Sequence, residues 1–304
     1  MKKAMVIGAA GNIGKPLVKY LKEREYEVCE VDIKPAWRDG YYVADITKPA
    51  DLIEPFDFKP DYVFHLAAMV SRVTCEQAGS MCVDTNLYGT QNVIEFTKRC
   101  KAKLINFSTS EVYGPDNEIM DEDGNACPNN RYGMSKLLAE KLVEYEVHYH
   151  HLDAVSLRPF MMYDENEDLG EHRSAMIRFA YNLYHGMPVE VHVGSARGWL
   201  HVSDAIRAIE AATRIEGYEV INIGNPDVYT IKELALMICK ELGADESLIH
   251  YVDLPERMTL VKRPTLLKQR ELLGVEPKVQ LKEGIRRVCE MMRKREGQFR
   301  QISS

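Results

Sequence analysis

The chain lacks paired cysteines. Its seven, Cys29, Cys75, Cys82, Cys100, Cys127, Cys239 and Cys289, are odd in number and contain no Cys-x-x-Cys spacing. That argues against a disulfide framework and a structural zinc site, so free thiols in a reducing cytosol and no bound metal are expected. Nor is there an apolar run near the roughly 18 residues that a membrane span requires. Ala4-Met5-Val6-Ile7, after Met1-Lys2-Lys3, is short and runs straight into glycines without a small-residue cleavage site. A soluble, cytoplasmic protein with no membrane partner is expected. Positive charge is not in excess either: 39 Lys and Arg against 46 Asp and Glu leave a net charge of -7. Such a surface repels phosphate backbones, so no nucleic-acid partner is expected, although a local pocket can still attract a nucleotide. Internal repeats and low-complexity segments are absent too.

What is present suits a large core. Hydrophobic residues are 45% of 304, enough for one large or two modest domains without covalent staples. Through the first half, short apolar runs alternate with helical patterns. Strands are expected at Ala4–Gly8, Glu27–Ile33, Tyr41–Ala44, Asp61–Leu66, Lys103–Phe107 and Ala154–Leu157. Helices are expected at Asn12–Arg24, Leu52–Phe56, Thr85–Cys100 and Tyr132–His150. This alternation implies βαβ units, hence a parallel sheet covered by helices on both faces. After Arg158-Pro159 the rhythm changes. A polar loop at Asp164–Arg173 is followed by a helix at Ala175–His185 and a strand at Val189–Val193. Next come a helix at Ser203–Arg214, capped near Ser203 or Asp204, and a strand at Val220–Ile223. Thr230-Ile231-Lys232-Glu233 is a capping box opening a helix to Leu242. Two further helices are expected near Thr265–Leu273 and Leu281–Arg295.

Two local patterns carry chemistry. Gly8-Ala9-Ala10-Gly11-Asn12-Ile13-Gly14 lies between a strand and a helix. Small residues there let the backbone approach a pyrophosphate, and the helix N-terminus supplies N–H donors. Asp32 ends the second strand, about 20 residues on, where a carboxylate holds ribose hydroxyls and repels a 2′-phosphate. The combination points to NAD rather than NADP, with Lys34 nearby as the one contrary sign. Tyr132-Gly133-Met134-Ser135-Lys136 puts a phenol and an amine on one helical face. To act as a base near neutrality the phenol must drop by about 3 units from its usual 10, which a neighbouring ammonium favours. Ser108-Thr109-Ser110-Glu111-Val112-Tyr113-Gly114 follows the fifth strand, at the end of a parallel sheet where ligands bind.

The glycine loop, Asp32, His65-Leu66-Ala67-Ala68, Asn86 in Asn86-Leu87-Tyr88-Gly89-Thr90-Gln91-Asn92, the Ser108–Gly114 run and the Tyr132/Lys136 pair resemble the extended short-chain dehydrogenase/reductases. The nucleotide-sugar epimerase/dehydratase branch is the most similar. The resemblance covers nearly the whole chain. It implies a Rossmann, doubly wound parallel sheet with a smaller, mixed α/β C-terminal substrate domain. The cofactor domain would span 1–160, with 200–224 returning to it, and the substrate domain 161–304.

The resemblance also implies roles. Tyr132 would take the proton from the sugar C4 hydroxyl, Lys136 would tune it and hold the cofactor ribose, and Thr109 would hydrogen-bond the reacting oxygen. NAD would lie along Gly8, Gly11, Asn12, Ile13, Gly14, Asp32, Asp45, Ile46, Leu66, Ala67, Ala68, Asn86, Ser108 and Pro159. Met69, Ser110, Met161, Arg197 and Arg263 would line the substrate, the two arginines gripping a nucleotide diphosphate. Glu111 in Thr-Ser-Glu order is similar to the dehydratases and decarboxylases, where a carboxylate acts at C5 once C4 is a ketone. Dehydration is therefore favoured over 4-epimerisation. An alcohol dehydrogenase or reductase of a non-nucleotide substrate is the alternative of another type. Met161 stands where the family usually has Asn, and Gly198-Trp199 where Asp-Phe is usual, so the pocket is altered. A homodimer packed through the helices Thr85–Cys100 and Tyr132–His150 is implied by the same resemblance.

Overall fold

In a computed structural model the described residues are 1–115, 119–170, 173–256 and 258–302, with side chains described up to 294. Glu171 and His172, part of the loop expected at 164–173, lie outside them. Six strands form in the first half: β1 (Lys3–Ile7), β2 (Glu27–Asp32), β3 (Tyr41–Val43), β4 (Tyr62–His65), β5 (Lys103–Phe107) and β6 (Asp153–Pro159). With the strand Val220–Ile223 they make one seven-stranded sheet. Its order is Val220–Ile223, β6, β5, β4, β1, β2, β3, and every pairing is parallel. β5 is buried along its whole length, as a strand covered on both faces must be. One face packs Leu17, Leu21 and Ile105 against Ala205 and Ile209. The other packs Met5, Val63 and Leu104 against Val93, Ile94 and Val143. Each such large side chain contributes about 1.5–3 kcal/mol by leaving water.

The order reverses between β1 and β4. The two strands stay paired to their carboxyl ends, Ile7 opposite His65, and the chain leaves them towards opposite faces of the sheet, which opens a crevice there. The helix Arg131–His150 is held to the sheet by a buried bidentate pair. Arg158 donates to Glu140 at 2.6 and 3.0 Å, and to the Tyr113 hydroxyl at 2.9 Å. Tyr113 in turn donates to Asn222 Oδ1 at 2.7 Å. This network ties the middle of the helix, at Glu140, to β6 and the returning strand.

A separate apolar cluster forms around the helices Ala175–Tyr184, Ile231–Leu242 and Leu281–Ile302, with Trp199, Leu234 and Val288 buried in it. Here the structure adds short strands that the sequence pattern did not suggest. Ala196–Gly198 lies between Val228–Thr230 and Val261–Lys262, and Ile249–Val252 pairs with Val189–His192, the strand expected at 189–193. Strands of two to four residues carry too few alternations to register as a period. The helix at Val202–Ala211 is capped by His201, whose side chain accepts from Ser203 N, rather than by Ser203 or Asp204. The helix expected from Thr85 starts at Gly89. A wider π turn over Asp84–Tyr88 and two short helices, Arg72–Gln77 and Gly79–Val83, precede it. No helix among the described residues is long and apolar enough to cross a membrane.

Candidate active site

The glycine loop leaves β1 and turns into the helix Gly14–Glu23. Gly8 has φ +95°, and a Cβ on it would lie 2.8 Å from Ala67 N. A Cβ on Gly14 would fall 2.1 Å from the Gly8 carbonyl oxygen. Only glycine permits either approach. The helix has no side-chain cap and no acid in its first turn, which leaves its N–H donors and positive dipole end for an anion. Asp32 accepts from Ala10 N at 2.8 Å and Lys34 N at 2.9 Å, so its carboxylate is fixed beside the loop. These residues open onto a cleft of about 1150 Å³ that continues past Asp45, Ile46 and Leu66–Ala68 to Ser108, Tyr132, Lys136 and Pro159.

Along the middle of that cleft the chain is held from behind. Asn92 Nδ2 donates to the Ile46 carbonyl at 2.8 Å. Asn86 is wholly buried; it accepts from Met69 N at 2.8 Å and donates to Met69 O at 3.0 Å and Ser135 Oγ at 2.9 Å. Asn86 and Met69 therefore do not line the cleft. They brace the segment that does, because both Asn86 amide atoms are committed to backbone and Ser135.

Tyr132 and Lys136 face the cleft from one side of the helix Arg131–His150. Burial pushes the phenol above its usual value, partly opposed by a hydrogen bond with Thr109, while Glu111 raises it further. Burial pushes Lys136 down to about 8, with Glu140 opposing. The Lys136 amine has no hydrogen-bond partner among the described residues. His65 lies behind it, driven to about 3 by burial and by Lys136, and is thus neutral.

Asn130 caps the same helix and reaches beyond it. Its Oδ1 accepts from Gly133 N at 2.9 Å and its Nδ2 donates to Glu111 at 3.1 Å. One side chain therefore sets Glu111 relative to Tyr132. The consecutive Asn129-Asn130 ahead of the helical pattern was the available signal, since Asn is a preferred cap.

The opposite wall contains a residue the sequence did not single out. Lys262, fully buried, pairs with Glu111 and donates to Ser110 Oγ at 3.3 Å. Burial opposes ionisation of Glu111, yet Lys262, Arg72 and Asn130 together hold its carboxyl down at about 2. Lys262 itself is lowered by burial, against the pull of Glu111. Arg197 lies beside it in register. Its guanidinium donates to the carbonyls of Ala196, Leu260 and Thr259 at 2.6–2.7 Å rather than to a carboxylate. Burial brings its pKa to about 10. Arg263 is exposed and off the cleft. Adjacent strand residues face opposite ways, so an inward Lys262 turns Arg263 outward. Ser110, Met161 and Arg197 do line the cleft.

An uncapped helix N-terminus, a glycine cradle and the buried, partnerless hydroxyl of Ser108 at the end of β5 suit a dinucleotide. A tyrosine and a lysine stand where its reactive end would come. Together they define a dinucleotide-dependent enzyme of the parallel-sheet type. The NAD dependent epimerase/dehydratase family model matches residues 4–224, and the chain belongs to that family; its cofactor is NAD. A UDP-glucuronic acid decarboxylase of Arabidopsis thaliana is 29% identical over 96% of this chain and 70% of its own length. The crystal structure of a Thermotoga maritima UDP-glucose 4-epimerase with UDP-glucose has a TM-score of 0.91 at 26% identity, covering 97% of this chain and 99% of that one. MoeE5, solved with UDP-glucuronic acid and NAD, has a TM-score of 0.87 at 25% identity, covering 96% and 99%. The chain is thus an NAD-dependent enzyme of the nucleotide-sugar epimerases, dehydratases and decarboxylases.

Proposed function

We propose that the protein is a nucleotide-sugar lyase that oxidises C4 and then removes a group attached at C5, carbon dioxide from a uronate. The Glu111–Lys262 pair beside Thr109 and Ser110 carries this reading. Tyr132 takes the proton of the C4 hydroxyl, Thr109 hydrogen-bonds the same oxygen, and Lys136 keeps the phenolate favoured. NAD, when bound, accepts the hydride from C4 and returns it. A ketone at C4 makes a C5 carboxylate a β-keto acid, whose carbon dioxide leaves without a base. A carboxyl held near 2 stays charged and is a weak acceptor for a carbon-bound proton, whereas the buried Lys262 ammonium can deliver one to C5. Dehydration is the second reading: it needs Glu111 to take the C5 proton, and the Thr109-Ser110-Glu111 order favours it.

Residues 161–304 would hold the nucleotide and sugar, and 1–160 with 200–224 the cofactor. Arg197 would grip the diphosphate. Asp32 would hold the adenosine ribose, with Asp45 and Ile46 near the adenine. Seven free cysteines suit a cytoplasmic location.

Incubation with UDP-glucuronic acid, UDP-glucose and dTDP-glucose, followed by proton NMR, is expected to show a pentose product from the first. A 4-keto-6-deoxy product would replace this reading with dehydration, and C4 epimers alone would overturn both. Glu111→Gln separates the two readings: C4 oxidation, read as reduced cofactor at 340 nm, is expected to stay largely intact in both, while dehydration would stop at C5 and loss of carbon dioxide would persist.

A homodimer is the assembly that the exposed side chains support. Met134, Leu138, Tyr145 and Tyr149 stand out from the helix Arg131–His150 and Tyr88 from the turn ahead of Gly89–Cys100, each at least 45% exposed, a pattern of apolar surface that marks association. Light scattering is expected to give twice the chain mass; a monomer would remove the proposal.

A further inference from the structure

Two thiols lie in contact beneath the cleft wall. Cys75, in the helix Arg72–Gln77, and Cys82, in the helix Gly79–Val83, are both wholly buried with Sγ atoms 2.7 Å apart. Cys75 Sγ also reaches the Met69 carbonyl at 3.4 Å, and Cys82 Sγ reaches Ser135 Oγ at 3.5 Å. The two short helices and the residues flanking them bring Ser71, Arg72 and Val73 on one side of Ala78, and Met81, Asp84 and Thr85 on the other, into the cleft lining. None of the chemistry assigned to Tyr132, Lys136, Thr109, Glu111 or Lys262 uses these sulfurs.

We propose that Cys75 and Cys82 are an oxidant-sensitive dithiol, closed by peroxide to a disulfide that locks this wall of the cleft. One sulfur attacks peroxide oxygen, breaking the O–O bond and releasing water as it becomes a sulfenic acid. The second then attacks that sulfur, expelling another water. Two thiols and one peroxide give one disulfide and two waters. Little movement is needed, since a bond of about 2.05 Å replaces an existing contact. Access for peroxide comes from local opening. Helices of six and five residues are far too short to stand alone and unfold without the core. Burial keeps the Cys75 thiol protonated in the closed state, so reaction is gated by that opening. Once formed, the bond joins the two halves of the wall across Ala78.

The test is peptide mapping of the whole protein. The tryptic peptide Val73–Lys98 contains both cysteines and no other. After hydrogen peroxide, denaturation and alkylation, it is expected two hydrogens lighter and unalkylated, becoming doubly alkylated on treatment with dithiothreitol. Hydrogen exchange across 73–83 is expected to slow in the oxidised protein and return on reduction, with no such change in Cys82→Ser. Three results would overturn the proposal: a doubly alkylated peptide at peroxide doses that oxidise the exposed Cys127, sulfinic acids without a disulfide, or a link to another peptide. The mapping needs no variant and no substrate, so its outcome is independent of the reaction proposed above.

Discussion

Replacing Tyr132 by Phe is expected to lower turnover by about 10²- to 10⁴-fold, the range for loss of a positioned acid–base group. The ring remains, so packing against the cleft and the content of bound NAD should stay as in the parent. The phenol sits above its ordinary value in the protein alone, because burial outweighs the hydrogen bond with Thr109. Its proton is therefore released only when positive charge lies close, and Lys136 is the buried cation one helical turn away on its own face. Lys136 loses its proton as pH rises through about 8. Activity should fall above that point, since a neutral amine no longer favours the phenolate. Pre-steady-state cofactor reduction against pH reads both effects. A Tyr132→Phe protein within tenfold of the parent would remove the phenol from the reaction.

Lys262→Met is expected to cost about 3–5 kcal/mol of stability at neutral pH, the usual result of stripping one partner from a buried ion pair. The lysine buries its ammonium in the cleft wall, and without it Glu111 keeps only the Asn130 hydrogen bond and the charge of Arg72. The two partners do not contribute alike. Glu111 is held down at about 2 against an ordinary 4.5, whereas Lys262 is also lowered, so its burial is unfavourable on its own. The pH dependence has a definite sign. A carboxyl whose folded pKa is depressed stabilises the fold above its unfolded value, and loses that contribution as pH falls through 4.5 towards 2. The gap between parent and variant should therefore narrow over that window in urea titrations. Glu111→Gln added to Lys262→Met should recover much of the loss, as the orphaned charge goes with it. A gap that is constant from pH 7 to 3, or no gap at all, would mean that the pair is not coupled.

Much of the fold was readable residue by residue. Lys103–Phe107 was bounded to the residue, because Leu104, Ile105 and Phe107 lie in a segment too short for a helix and bounded by the Ser108-Thr109-Ser110 turn. The capping box at Thr230 and Glu233 forms as read, with both reciprocal bonds present. The glycine loop was legible because its glycines answer a local demand, a positive φ and a close backbone approach. Tyr132 and Lys136 were legible as a pair on one face because four residues on a helix is one turn. Where local signals were thin, the reading was incomplete: the short helices at 72–83 and the strands at 196–198 and 261–262 are made by what packs on them.

Lys262 shows the limit most clearly. From the sequence, Arg263 was singled out for a diphosphate and Lys262 was passed over; only the pairing of Val261–Lys262 with Ala196–Gly198 turns Lys262 towards Glu111. Residues 111 and 262 meet across 151 positions of chain, as do Cys75 and Cys82 across a break between two helices. The amino-acid order alone determined the parallel sheet, the dinucleotide loop and the paired phenol and amine, since each depends on neighbours within one turn or one strand. The partner of Glu111, its low pKa and the contact between two thiols were decided only by tertiary packing. Burial and the field of distant charges set them, and neither is a property of a local segment.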